Sequence, residues 1–203
     1  MNYLEALQAK ALGGGLGFRG QSFGGFTGTM AAALAANSTV FAAQYPTASY
    51  GLMLIQSLHL HFSCIGSFVV PVTAGRRLSL RRGAGGSPSG GTDIDVMRNL
   101  EPAAGGGGPW QNGELPDETL LTGKVATTGA LTMTGVVYET PTRARLMLSA
   151  VGSSGLEYDE IWEPKEPFYL QPGDIAGIVA PAAFDAGGTW QLSVKGYAIE
   201  VTR

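Results

Sequence analysis

The sequence is poor in charge, cysteine and histidine, and each shortage narrows the kind of protein that it can encode. Charged residues make up 14% of the 203 positions, whereas an ordinary globular domain carries about a quarter. The net charge of −3 gives the chain no general attraction to nucleic acid. The single cysteine, Cys64, cannot form a disulfide within the chain, so we expect stability to come from packing or assembly.

Long apolar runs are also missing from the sequence. No stretch of about 18 or more apolar residues exists, so we expect no membrane span and no membrane partner. The first residues, Met1–Glu5, lack the basic and apolar regions of a secretory signal peptide. We therefore expect a protein that is made in the cytoplasm.

The first part of the chain differs from the rest, because no Asp, Glu, Lys or Arg occurs between Arg19 and Arg76. A solvated segment normally carries charge, whereas an uncharged segment with aromatic residues is suited to lie on another protein. We predict an N-terminal interaction arm over residues 1–48, the alternative being a disordered glycine-rich leader. The expected anchors of this arm are five apolar side chains: Leu4, Leu7, Phe18, Phe23 and Phe26.

Short helical segments are expected within this extended arm. Leucines at helical spacing over residues 2–12 predict one helix, closed by Gly13–Gly15. The alanine-rich segment Met30–Ala36 predicts a further turn or two, capped by Asn37.

From Thr39 onward the sequence has the pattern of strands separated by Gly and Pro. Strict alternation of apolar and polar residues predicts a strand through Ser57–Cys64, and similar runs recur to the end of the chain. A parallel sheet would need a helix at each crossover, and the sequence offers no helical pattern there. We predict an all-β domain over residues 49–203, an antiparallel β-sandwich or jelly roll of about eight strands.

A glycine-rich insert at about residues 83–118 interrupts these predicted strands. It contains the runs Gly83–Gly91 and Gly105–Trp110, which are typical of exposed loops. Trp110 is the residue of this loop that we expect to contact a partner.

Both histidines lie in the strand Ser57–Cys64, close to the only cysteine. A two-residue period places His59 and His61 on one polar face and Cys64 on the opposite, apolar face. A cupin-like metal site would need a nearby Glu and a third histidine, and neither exists at the expected place. A two-histidine site completed by a distant carboxylate, as in a metal-dependent cupin-like enzyme, is the less favoured alternative. We predict no metal and no cofactor.

Other catalytic arrangements find little support in the sequence. No Gly-x-Ser-x-Gly elbow appears in a strand-to-helix context, and neither histidine has a recognisable catalytic partner beside it. Acid pairs such as Asp93/Asp95 and Asp159/Glu160 are expected on solvated strand faces. The arginines of Arg76–Arg82 flank a Leu-x-Leu core segment, which indicates protection of a sheet edge or pairing between subunits. We therefore predict no catalytic residues and expect that the protein is not an enzyme.

The layout as a whole resembles a known group of proteins over about residues 50–203. The segments that carry the resemblance are Leu58–Phe62, Gly75–Arg82, the glycine-rich loop into Thr92–Val96, the turn Leu170–Asp174 and a final strand containing Trp190. This layout is similar to that of tailed-bacteriophage virion jelly-roll proteins of the head decoration, or cement, type.

The resemblance implies a structural virion protein, made in the host cytoplasm, that binds and stabilises the capsid shell. Its partners would be the major capsid protein or other virion proteins, and it would act as a homo-oligomer, with a trimer favoured. An alternative is a tail fibre or spike component, in which Trp110 and its loop contact a receptor or glycan. The resemblance assigns no functional residue.

Overall fold

A computed structural model of the chain describes residues 17–31, 33–49, 51–68, 76–98, 121–139, 144–147, 155–163, 168–184 and 188–202. All regular elements within these ranges are β-strands. The described residues therefore include no long apolar helix that could cross a membrane. The strands are β1 (Gly17–Phe26), β2 (Ser38–Gln44), β3 (Leu52–Gly66), β4 (Arg77–Ala84), β5 (Ser87–Ser89), β6 (Thr92–Asp93), β7 (Asp95–Arg98), β8 (Thr122–Val125), β9 (Thr132–Thr134), β10 (Val137–Tyr138), β11 (Ala144–Met147), β12 (Leu156–Trp162), β13 (Phe168–Leu170), β14 (Ile175–Ala180) and β15 (Thr189–Thr202).

The strands form two large antiparallel sheets and one small ribbon. The six-stranded sheet has the order β12-β3-β15-β1-β7, with β13 also paired to β3. The seven-stranded sheet has the order β10-β4-β14-β2-β8-β6, with β11 also paired to β4. β5 and β9 pair in the ribbon. The predictions of an all-β fold and of antiparallel pairing are confirmed.

One hydrophobic core lies between the buried faces of the two large sheets. Phe23 of β1 stacks on Phe41 of β2 with ring centroids 6.3 Å apart, so the contact joins the two sheets. Trp190 stacks on Phe62 at 5.3 Å and meets Phe184 edge-on at 5.6 Å. Such aromatic contacts favour a fixed packing geometry in addition to burying apolar surface. The arrangement is sandwich-like.

β3 has the two-faced character that its sequence predicts. The alternate residues Leu58, Leu60, Phe62 and Cys64 are each at most 2% exposed and belong to the core. The residues between them, including the two histidines, lie on the outer face of the sheet. Burial raises the pKa of the Cys64 thiol, which agrees with a cysteine that serves as a small apolar side chain.

The described part of the predicted arm is built into the two sheets instead of extending from them. β1 pairs along its whole length with β15, from Gly17 opposite Thr202 to Phe26 opposite Ser193. β2 lies between β14 and β8, and five consecutive residues of it are buried. The lack of charge over this stretch therefore reflects burial within the chain's own sheets. Residues 1–16 lie outside the described residues.

The predicted helical turn at Met30–Ala36 is not present in the described residues of that segment. The backbone of Met30 bonds to Trp190, and that of Leu34 bonds to Phe184, in isolated β-bridges. Both side chains are buried in the core. These contacts outweigh the helix preference of the alanines, because propensity is a weak determinant when tertiary partners satisfy the backbone. The helix predicted over residues 2–12 lies outside the described residues.

The first half of the predicted glycine-rich loop is likewise part of the sheets. β5 pairs with β9, β6 with β8, and β7 with β1. Positive φ angles at glycines such as Gly86 and Gly91 let the chain turn sharply between these short strands. Residues 99–118 of the insert, with Trp110, lie outside the described residues.

The arginine-rich strand β4 is an interior strand, which corrects its interpretation as a protected sheet edge. It pairs with β14 on one side and with β10 and β11 on the other. Arg82 lies 3.1 Å from Asp174 and 3.4 Å from Glu139, and both contacts are largely shielded from water. Asp174 also accepts the backbone N–H of Gln171 at 2.8 Å. These contacts join the turn before β14 to β4.

A buried hydrogen bond connects the end of β2 to β15. The Tyr45 hydroxyl donates to Glu200 Oε1 at 2.7 Å, and both residues are almost fully buried. Burial, together with the Glu200 carboxylate, raises the pKa of Tyr45 to about 12. Tyr45 thus stabilises the fold in its neutral form.

We predict that Tyr45→Phe lowers the free energy of unfolding by about 1–3 kcal/mol, because a buried carboxylate loses its hydrogen-bond donor. The measurement is urea denaturation at neutral pH. Because the folded-state pKa of Tyr45 is raised, its contribution is complete below pH 10.0 and is lost as pH rises towards about 12. The variant should lack that alkaline loss. The control is Tyr169→Phe at an exposed position; equal effects at the two sites would contradict the prediction.

Candidate functional site on the outer face of the six-stranded sheet

The outer face of the six-stranded sheet gathers the polar side chains that the sequence separates widely. Register places His61 between Asp159 of β12 and Ser193 of β15, and it places His59 between Ile161 and Lys195. Because side chains alternate along a strand, these residues share one face with their neighbours two positions away. This face is the candidate site.

Asp159 connects both histidines. Its Oδ1 lies 3.1 Å from Nε2 of His59 and 2.9 Å from Nδ1 of His61. The other ring nitrogen of His61, Nε2, lies 3.1 Å from the hydroxyl oxygen of Ser63. The side chains of His59, His61 and Asp159 are 37–60% exposed, so the cluster is open to solvent.

The positions of the protons in this cluster follow from the ionised state of the Asp159 carboxylate. An ionised carboxylate only accepts hydrogen bonds, so Nδ1 of His61 must be the donor to it. In the neutral imidazole, Nε2 then carries the lone pair and accepts the hydrogen bond from the Ser63 hydroxyl. The hydrogen bond from His61, and next that from His59, lowers the pKa of Asp159 below its ordinary value. Asp159 therefore stays ionised at neutral pH.

A groove of about 630 Å³ lies beside this cluster on the same face. Phe26 and Ile161 line it and are 51% and 65% exposed, which is unusual for side chains of their size. Lys195, Tyr197 and His59 supply polar groups. The groove is apolar at its sides and carries a few polar groups, a composition typical of binding sites.

Glycine residues allow the strands beside this groove to pack closely. A Cβ on Gly24 would collide with the carbonyl oxygen of Val194 on the neighbouring strand. A Cβ on Gly196 would collide with the ring of Phe23, which packs across it on the core side. Close strand packing in this part of the sheet therefore requires glycine.

The residues that we predicted to contact a partner lie in different environments. Phe23 is buried in the core, whereas Phe26 is exposed at the groove. Phe18 lies in β1 opposite Val201. Leu4, Leu7 and Trp110 lie outside the described residues, so their predicted role stays a prediction.

Within the ranges that the structure describes, no group of three or more His, Cys, Asp or Glu residues is placed to hold a metal ion. Asp159 instead accepts hydrogen bonds from both imidazoles.

The sequence did not indicate the pairing of Asp159 with the histidines. The two strands that bring them together are about one hundred positions apart in the chain, and strand order cannot be read from alternation. The alternation of residues 156–162 was the available signal, since it places Asp159 and Ile161 on one strand face.

No protein-family model fits the chain, and no curated protein matches its sequence. The candidate site is therefore interpreted from its own geometry.

We predict that His61→Gln raises the pKa of Asp159 more than His59→Gln does, because the hydrogen bond from His61 is the larger cause of the lowered value. Carboxyl-carbon NMR titration of Asp159 measures this. A depressed carboxyl pKa means that the associated stability is present above the ordinary Asp pKa and is lost as pH falls through the depressed one. An Asp159 pKa that neither substitution moves would contradict the hydrogen-bonded arrangement.

Proposed function

We propose that the protein is a structural component of a virion, a jelly-roll module that binds other virion proteins. The observation that carries the proposal is the strand order. Strands β1 to β4 alternate between the two sheets along the chain, and the paired rows are β1-β15-β3-β12 and β2-β14-β4-β11. Two such four-stranded rows are typical of jelly rolls, an architecture that occurs in viral capsid proteins as well as in lectins and cupins.

The low charge of the chain supports a role in assembly. Charged residues are 14% of the sequence, and Phe26 and Ile161 expose apolar surface on one sheet face. Exposed apolar side chains that lie together on a surface are characteristic of protein contacts. In this proposal the outer face of the six-stranded sheet contacts the capsid protein or a neighbouring copy. Many weak contacts in a shell then combine into strong binding.

The oligomeric form that fits this role is a homo-oligomer, with a trimer favoured by the resemblance to decoration proteins. A trimer would occupy positions of local threefold symmetry on a shell, and its copies would share one set of contacts. The mechanism of this role is binding to other virion proteins.

A tail fibre or spike component is the second candidate function. The groove favours it, because its volume of about 630 Å³ lies in the range that accommodates a small ligand such as part of a receptor glycan. Copy number separates the two candidates, since a decoration protein is abundant and a tail protein is scarce.

The experiment that tests the proposal is quantitative mass spectrometry of purified particles, which gives the number of copies per particle. We expect a high, fixed ratio of this chain to the major capsid protein. A low ratio would favour the tail component, and absence from particles would overturn both candidates.

The same particles test the proposed contact face. We expect the double variant Phe26→Ala/Ile161→Ala to be incorporated about tenfold less well than the native chain in a competition, because interface side chains of this kind commonly contribute more than about 1 kcal/mol. The matched control is Val137→Ala, which truncates a 73% exposed side chain on the other sheet. Equal incorporation of the two variants would contradict the contact face.

A further inference from the structure

The cluster on β3 and β12 contains a continuous chain of hydrogen bonds from a hydroxyl to a carboxylate. Ser63 Oγ lies 3.1 Å from His61 Nε2, and His61 Nδ1 lies 2.9 Å from Asp159 Oδ1. These are the contacts that activate a serine in nucleophilic catalysis, where a base receives the hydroxyl proton and a carboxylate orients the base. We propose that Ser63 is a nucleophile that accepts acyl groups from activated esters. This activity goes beyond the proposed binding role, which does not depend on it.

The direction of the hydrogen bonds supports this proposal. Asp159 stays ionised, so Nδ1 of His61 carries its proton and Nε2 is free to accept one. The Ser63 hydroxyl is already the donor to Nε2, and proton transfer needs no change of tautomer. His59 donates to the same carboxylate oxygen and holds it from a second side.

The backbone keeps the three groups in place. Ser63 and His61 are two residues apart on one strand, so their side chains project from the same face. β3 is paired on both sides, with Asp159 directly opposite His61 on β12. Sites on paired strands hold their geometry better than sites on loops.

The surroundings of Ser63 limit the substrate to esters with good leaving groups. Serine hydrolases owe about 10²–10³ in rate to a donor that binds the developing oxyanion. Ser63 is opposite Glu157 on one side and Gln191 on the other, and the Gln191 amide donates to Thr29 at 2.9 Å. One of the two N–H groups of this amide is therefore bound to Thr29 and does not serve an oxyanion. We therefore expect reaction with aryl esters and not with peptide bonds.

The reaction is a balanced acyl transfer. Ser63 Oγ attacks the carbonyl carbon of the ester, and its proton moves to His61 Nε2. The bond between the carbonyl carbon and the leaving phenolate oxygen breaks and the phenolate departs. His61 Nε2 then releases its proton to the solvent, so the imidazole is neutral again before the second step. Water then attacks the acyl-Ser63 ester, His61 takes the proton of that water and returns one to Ser63, and a carboxylic acid is released.

The test uses the full chain and p-nitrophenyl acetate, with p-nitrophenolate release followed by absorbance and acetylation sites mapped by mass spectrometry. We expect acetylation of Ser63 in the native protein and loss of both signals in Ser63→Ala. Asp159→Asn should slow Ser63 acetylation by about 100-fold or more, as expected for loss of base catalysis. Nitrogen NMR of His61 should report the Nδ1–H tautomer in the native protein and its loss in Asp159→Asn.

A matched variant separates activation of Ser63 from general effects. Ser57→Ala removes a serine from the same strand face. It should change the rate by less than about threefold, well below the loss expected for a catalytic group. The proposal is overturned if Ser57 is acetylated as fast as Ser63. It is also overturned if p-nitrophenolate release survives in Ser63→Ala but disappears in His61→Gln, since the imidazole would then be the nucleophile.

Discussion

The long antiparallel pairing of β3 with β15 is the constraint on which the rest of the structure depends. It runs from Leu52 opposite Val201 to Gly66 opposite Thr189 at the centre of the six-stranded sheet. Because side chains alternate, this register determines which residues enter the core and which face outwards. A shift by one residue would bury His59 and His61 and expose the alternate apolar residues Leu58, Leu60 and Phe62. The core and the candidate site thus lie on opposite faces of the same pair of strands.

The chain contains few charged residues, and the fold determines whether each of them is buried or exposed. The well-shielded pair of Arg82 and Asp174 joins the turn before β14 to β4. A buried carboxylate at Glu200 is bound by Tyr45. By contrast, Asp159 and the histidines lie on the open face. Solvent weakens the electrostatic contacts there, so these contacts position the side chains more than they stabilise the fold. The Arg82–Asp174 pair thus joins parts of one sheet, and the Tyr45–Glu200 hydrogen bond connects the two sheets. The exposed groups are available for chemistry or binding.

The sequence predicted the two-faced strand β3 because Leu58–Cys64 has a strict two-residue period. It did not predict that β1 and β2 belong to the sheets. β1 contains glycines where close strand packing requires them, as at Gly24, so it has no clear alternation of apolar and polar side chains. The alanines after Met30 have high helix propensity, but the pairing of their segment with the other end of the chain decides its conformation. Contacts between distant segments, including that of Asp159 with the histidines, could not be read from local patterns.

The central claim is that β1 is an integral strand of the sheet that carries the candidate site. Native-state hydrogen exchange, followed residue by residue by NMR, tests it most directly. The account predicts that the β1 amides bonded to β15 open with the same free energy as those of β3, because both strands flank β15 in one cooperative sheet. Exchange of the β1 amides through a far smaller opening free energy, while β3 stays protected, would contradict it.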